Sequence, residues 1–260
     1  MSKAGIRRCC LLVVFALLAL WTGCETVTPP TTPTPPSTPT PDPPTSSGVT
    51  VVIDPGHGGS TRVGGSSPNN ATSYSGKLEK HLTLELGQLV RDKLNALSPD
   101  LNVVMTRTSD VNVGLSARAN RARDTGAVVF VSLHFNAFNA SARGVETHVR
   151  PGGDGGNVNL TKDRGLAQRI QSRVFSALKS HDANAKDRGL KETRLAVLND
   201  LSLGNSASQS RNRACLLEIE FIDVQTVDRV LNIAPNPAQV KRDVAEAIAE
   251  GIIADIDANS

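Results

Sequence analysis

Residues 128–133 read VVFVSL, a short stretch with no charge in it. A run this apolar and this brief is what a strand covered on both faces looks like. Such a strand needs helices above and below it, and the chain supplies them. In residues 79–97, Leu82, Leu86, Leu89, Val90, Leu94 and Leu97 fall on one helical stripe. Residues 164–181 repeat the pattern through Leu166, Ile170, Val174 and Leu178, and 237–256 through Val240, Val244, Ala247, Ile248, Ile252 and Ile256. A further helix is predicted at 115–125, stopping at Gly126. Strands are predicted at 50–54 (TVVID), 102–107 (NVVMTR), 144–150, 195–198 and 215–219. The order predicts one α/β domain: a twisted, mostly parallel or mixed sheet with helices on both faces. No internal repeat is visible.

The domain occupies 48–260. Before it stand two segments of other composition. Lys3, Arg7 and Arg8 precede the apolar run 9–21 (CCLLVVFALLALW). Thirteen helical residues would span roughly 20 Å, short of the ~30 Å hydrocarbon core, so residues 1–23 read as an export signal. Residues 24–47 form a Pro/Thr-rich stalk holding nine of the chain's 15 prolines. It lacks the apolar content to collapse. Extended as polyproline II, the 22 residues 26–47 would reach about 70 Å. Leu20-Trp21-Thr22-Gly23-Cys24 resembles a bacterial lipobox, with Trp21 in place of the usual aliphatic residue. That resemblance implies cleavage before Cys24 and a lipid on its sulfur. An ordinary cleaved signal and a secreted protein is the alternative.

Charge and cysteine usage exclude several classes. The net charge is +3, but the signal contributes +3 and the stalk −2, leaving +2 on the domain. That is too little to call for nucleic acid as a partner. Only Cys215 falls in the domain, beside Cys9, Cys10 and Cys24 before it, so neither a disulfide scaffold nor a cysteine-clustered zinc site is available. Any metal must use histidines and carboxylates.

Four residues stand where α/β sheets collect chemistry, at strand ends and helix starts. His57 follows the first strand in a glycine-rich loop, Glu79 opens the first long helix, His134 ends the apolar strand, and Glu218 lies in the last one. Each has a plainer reading: a turn histidine, a helix-dipole carboxylate, a core histidine. Glu218 is harder to dismiss. In Leu216-Leu217-Glu218-Ile219-Glu220-Phe221 two carboxylates share an apolar strand at a spacing that predicts one face for both. Together the four suggest zinc held by two histidines and one glutamate, with a second glutamate beside it. His81, His148 and His181 carry only structural readings.

Four segments, in order, are similar to the zinc-dependent N-acetylmuramoyl-L-alanine amidases of the type 3 family. They are Val52-Ile53-Asp54-Pro55-Gly56-His57-Gly58-Gly59, Leu78-Glu79-Lys80-His81-Leu82, Ser132-Leu133-His134-Phe135-Asn136-Ala137 and Leu217-Glu218-Ile219-Glu220-Phe221-Ile222-Asp223. Thr106-Arg107, Leu115-Ser116-Ala117-Arg118, Arg143-Gly144-Val145-Glu146 and Arg188-Gly189-Leu190-Lys191 fall in the matching order. The resemblance implies that His57, Glu79 and His134 ligate Zn2+ and that Glu218 is the catalytic acid/base. Glu220, where many relatives carry Gly, is the competing candidate. It also implies hydrolysis of the amide joining N-acetylmuramic acid to L-alanine, with peptidoglycan or muropeptides as substrate.

A monomer is expected, exported and tethered to a membrane through Cys24, facing the periplasm or cell wall. A zinc peptidase cutting within the stem peptide and a non-catalytic peptidoglycan-binding protein are the alternative readings. The polar segment 200–213 is expected to be a solvated loop near the cleft rather than a plug.

Overall fold

The computed structural model describes residues 48–153, 156–203, 212–233 and 235–260. The signal, Cys24 and the stalk lie outside the described residues, as does 204–211, the middle of the polar segment.

Six strands form one mixed sheet in the order β2-β1-β3-β6-β4-β5. They are β1 (Thr50–Pro55), β2 (Asn102–Met105), β3 (Val129–Asn136), β4 (Val145–Val149), β5 (Asp187–Glu192) and β6 (Arg213–Phe221). β2, β1, β3 and β6 run parallel; β4 pairs antiparallel with β6, and β5 runs parallel to β4. The long helices are α1 (Glu79–Leu97), α2 (Leu115–Asp124), α3 (Leu160–His181) and α5 (Pro237–Asp257), with a short α4 (Gln225–Asp228) running into one π-helical turn at Arg229–Ile233.

Strand alternation sorts the core into two layers. Val51, Ile53, Val129, Val131, Leu133, Leu217 and Ile219 pack with the stripes of α1, α3 and α5. Val52, Phe130, Ala214 and Leu216 face the other way, against Ala119 and Ala122 of α2 and against Val197, Leu198 and Leu203. Helices on both faces are therefore observed, the long helices α1, α3 and α5 on one side and α2 on the other.

Two expectations are corrected. Residues 195–198 form no strand but a turn. Their apolar character serves the second core layer, where Val197 and Leu198 are buried. The strand is β5, eight residues earlier in its start, and its sequence DRGLKE has no apolar run because it pairs only with β4 at the sheet edge. Nor do Glu218 and Glu220 share a face. The β3–β6 register runs His134↔Glu218 and then Asn136↔Phe221, so β6 carries an extra residue there. This bulge breaks the period-two rule. Glu220 ends up among Leu178, Ala185, Val227 and Leu231, on the α3 side.

Candidate metal centre

β1 and β3 lie side by side and parallel, so the residues at their C-terminal ends meet. Past the end of β1 the chain turns sharply. His57 adopts φ 59°, followed by Gly58 at 135° and Gly59 at 64°. A left-handed histidine is strained and persists only where its surroundings hold it.

Two buried arginines do the holding. Arg107 donates to the carbonyls of Pro55 (2.9 Å) and Gly56 (2.8 Å). Arg118 donates to those of Pro55 and His57, both at 2.7 Å, and pairs with buried Asp54 at 2.7 Å. Burial works to raise the Asp54 carboxyl; the charge of Arg118 and hydrogen bonds from Thr106 and Ser132 outweigh it and hold the group below its ordinary value. Burial and the neighbouring Arg118 push Arg107 down to about 10, so it remains a cation at neutral pH.

The loop delivers His57 to a carboxylate. Its Nδ1 lies 3.0 Å from the Ser67 carbonyl, which can only accept, so Nδ1 carries the proton and Nε2 presents a lone pair. That lone pair points at Glu79 Oε1, 3.3 Å away, and has no hydrogen-bond partner although it is buried. Glu79 is fully buried at the start of α1. Its Oε2 accepts from Ala71 N (2.9 Å) and its Oε1 from Phe135 N (3.0 Å). His134 Nδ1 is 3.0 Å from the same Oε1.

The three ligand atoms lie within 4.8 Å of one another. Two imidazole nitrogens converge on a carboxylate oxygen already supplied with a backbone donor, and one of them offers a lone pair where a donor is required. A cation resolves that conflict, and the nitrogen–nitrogen–oxygen set suits a divalent metal. Burial works to raise the Glu79 carboxyl; the imidazoles set against Oε1, His134 foremost, hold it well below the ordinary carboxylate range.

Glu218 sits opposite His134 in register and lines the same cleft, a cavity of about 260 Å³ walled by Ser66, Leu115, Leu195, Val197 and Leu216. Its Oε2 is buried without a partner. Burial first, then the negative charges of Glu79 and Glu146, push its carboxyl well above the usual range. Glu220, by contrast, spends Oε2 on the backbone N–H groups of Gly144 (2.7 Å) and Phe221 (3.1 Å), a fastening role. His81 is exposed, and His181 pairs with Asp243 at 2.7 Å.

His148 faces the cleft side beside Glu146, with Nε2 3.4 Å from that carboxylate. Glu146 and Arg188 were visible in the sequence only as motif pieces without a role. Cys215 is buried and unpaired by disulfide.

Fold and trio define an α/β domain with a two-histidine, one-carboxylate centre at the C-terminal edge of its parallel strands, beside a buried acid. The profile of the type 3 amidases, N-acetylmuramoyl-L-alanine amidase, matches residues 51–254. The Bacillus subtilis (strain 168) protein YqiI is 31% identical over 206 residues, 79% of this chain and 84% of its own length. The N-acetylmuramoyl-L-alanine amidase CwlM of Bacillus licheniformis is 38% identical over 104 residues, 40% of this chain but only 37% of that protein. The crystal structure of N-acetylmuramoyl-L-alanine amidase from Clostridium difficile 630 superimposes with a TM-score of 0.65 at 29% identity, covering 83% of this chain and 100% of that one. The chain belongs to the type 3 family of N-acetylmuramoyl-L-alanine amidases.

Proposed function

We propose that the protein is a zinc-dependent hydrolase of the amide between N-acetylmuramic acid and L-alanine in peptidoglycan. The observation that carries the metal is the unpartnered, buried Nε2 of His57 facing Glu79 Oε1, with His134 Nδ1 converging on the same oxygen. His57, Glu79 and His134 would hold the ion, leaving one side open to the cleft. Zinc bound there supplies a Lewis acid for the amide carbonyl and for the attacking water.

The chain's own groups do the rest. Glu218 takes the proton of the attacking water, whose oxygen bonds to the lactyl carbonyl carbon. The C–N bond breaks, and Glu218 passes the proton to the departing L-alanine nitrogen. Its apolar setting beside Leu216 suits a carboxyl that must both accept and return a proton. Arg107 and Arg118 hold the loop that fixes His57.

Elemental analysis and one muropeptide digest test this reading together. Stoichiometric zinc and a free L-alanine amino group beside intact muramic acid are expected. Cleavage inside the stem peptide would replace the amidase by a peptidase, and a zinc-free inactive protein would leave a binding protein.

The same proposal places the enzyme outside the cytoplasmic membrane, as a monomer tethered by a lipid on Cys24 through the stalk 24–47. The lipobox-like end of the apolar run supports this. Mass spectrometry of the mature protein should show an acyl-modified Cys24, and Cys24→Ser should release it from membranes. A mature form with no acyl chain makes it a secreted enzyme instead.

A further inference from the structure

Arg188 is not used by the chemistry above, yet it is built into the same end of the sheet. β5 carries an extra residue where Val145 pairs with Asp187 and Glu146 with Gly189, and that extra residue is Arg188. Bulges re-aim side chains near functional sites. Here Arg188 Nε reaches Glu146 Oε2 at 2.6 Å, and its guanidinium lies 5.0 Å over the Phe221 ring. Glu146 is itself buried and fixed by Asn136 Nδ2 at 3.1 Å. The two terminal nitrogens of the fork have no hydrogen-bond partner among the described residues, and the side chain is 39% exposed. A guanidinium held by Nε and stacked on a ring, with Nη1 and Nη2 free, is prepared for a carboxylate.

Position says which carboxylate. Asn136 lies two residues beyond His134, and two residues of strand cover roughly 7 Å. In the substrate the scissile nitrogen belongs to the first stem residue. The α-carboxyl of the second lies one Cα step of about 3.8 Å further on, plus its own bonds. On the other side of the His134–Glu218 pair the cleft is walled by Leu115, Leu195, Val197 and Leu216 with Ser66 and Ser67, and its charged members Asp54 and Arg118 neutralise each other. That end suits the uncharged muramoyl group, and the Arg188 end suits the charged peptide.

We infer that Arg188, positioned by Glu146, binds the free α-carboxylate of the second stem residue, D-glutamate, so that stems with this group free are preferred over stems amidated to D-isoglutamine. The inference rests on the amidase reading. The test compares zinc-loaded wild type with Arg188→Met and Arg188→Lys on N-acetylmuramoyl-L-alanyl-D-glutamate and on its D-isoglutamine amide. Wild type should favour the acid by about 10- to 100-fold in kcat/KM, chiefly through KM, as expected for a charge-assisted pair. Arg188→Met should bring the acid down to the level of the amide, with a loss on the acid at least about tenfold greater than any loss on the amide; Arg188→Lys should recover part of the preference.

Calorimetric binding of the products L-alanyl-D-glutamate and L-alanyl-D-isoglutamine reads the same preference without turnover. Equal treatment of acid and amide by wild type, in turnover or in product binding, overturns the inference, as does equal loss on both in Arg188→Met. A zinc-loaded wild type that binds the acidic product selectively but cleaves neither substrate overturns the amidase reading and leaves the Arg188 site standing.

Discussion

Gly56→Ala should disable the metal centre while leaving the fold intact. A Cβ at Gly56 would stand 2.3 Å from His134 Cε1, 2.5 Å from Nε2 and 2.7 Å from Nδ1, so the nearest ring atom is about 1.1 Å short of an ordinary 3.4 Å contact. The Gly56 backbone cannot retreat. Its N–H donates to Leu133 O at 3.0 Å, and its carbonyl accepts from Arg107 Nη2 and Thr83 Oγ1, both at 2.8 Å. The imidazole must therefore move by about an ångström. Metal–nitrogen bonds of about 2.0–2.1 Å tolerate roughly ±0.2 Å, so His134 leaves the ligand set or drags the ion with it. A misplacement of about 1 Å costs on the order of 10²-fold in rate. Zinc affinity, from competition with a chromogenic chelator, and muropeptide turnover should fall together, while far-UV circular dichroism stays native. Gly76→Ala is the control for glycine replacement, since nothing lies within 4 Å of its Cβ. It should weaken stability at most, because of its positive φ, and leave zinc binding alone. A Gly56→Ala protein with wild-type zinc affinity and turnover refutes the geometry.

Replacing His57 by Ala should abolish stoichiometric zinc and activity together, because only Glu79 and His134 remain to hold the ion; elemental analysis and turnover check it. Glu218→Gln should keep zinc and lose about 10²–10⁴-fold in turnover, whereas Glu220→Gln, whose Oε2 accepts from the backbone N–H groups of Gly144 and Phe221, should show its effect in the melting temperature; a dead, zinc-loaded Glu220→Gln beside an active Glu218→Gln reverses the roles. Asp163 supplies a pH test far from the metal. Burial, with a smaller contribution from Asp255, raises its carboxyl from 3.8 to about 7 against hydrogen bonds from Ala214 N and Asn157 and the charge of Arg213. The folded state thus keeps a proton that the unfolded chain has lost. The stability this group contributes is fully present below about pH 4 and is lost as pH rises toward 7, by up to about 4 kcal/mol. Denaturant midpoints of wild type minus Asp163→Asn, measured from pH 4 to 8, should trace that loss; a pH-independent difference would count against it.

The parts of the fold that sequence reveals are those whose pattern comes from burial alone. The stripe of α1 predicts its limits at Glu79 and Leu97, and VVFVSL predicts a central strand, because both bury apolar side chains at a fixed period. β5 escapes the same reasoning. An edge strand with one neighbour and a bulge has no reason to be apolar, and DRGLKE reads as loop. The turn at 195–198 misleads for the complementary reason: LAVL is apolar because it closes a cleft over Leu216, and covering a surface needs no period.

The trio of His57, Glu79 and His134 was legible because each stands at an element boundary that an α/β sheet brings to one edge. What sequence could not supply is the set of side chains that act on backbone. Arg107 and Arg118 grip carbonyls within Pro55–His57, and Gly56 stands aside for a ring some 78 positions away in the chain. Such contacts leave no periodic trace, since a carbonyl belongs to every residue alike. The same limit explains Glu218 and Glu220. Alternation places them on one face, and a single inserted residue in β6 leaves one lining the cleft with His57 and His134 and sends the other to fasten Gly144. Where a strand bulges, chemistry is decided by register, and register belongs to the pair of strands rather than to either sequence.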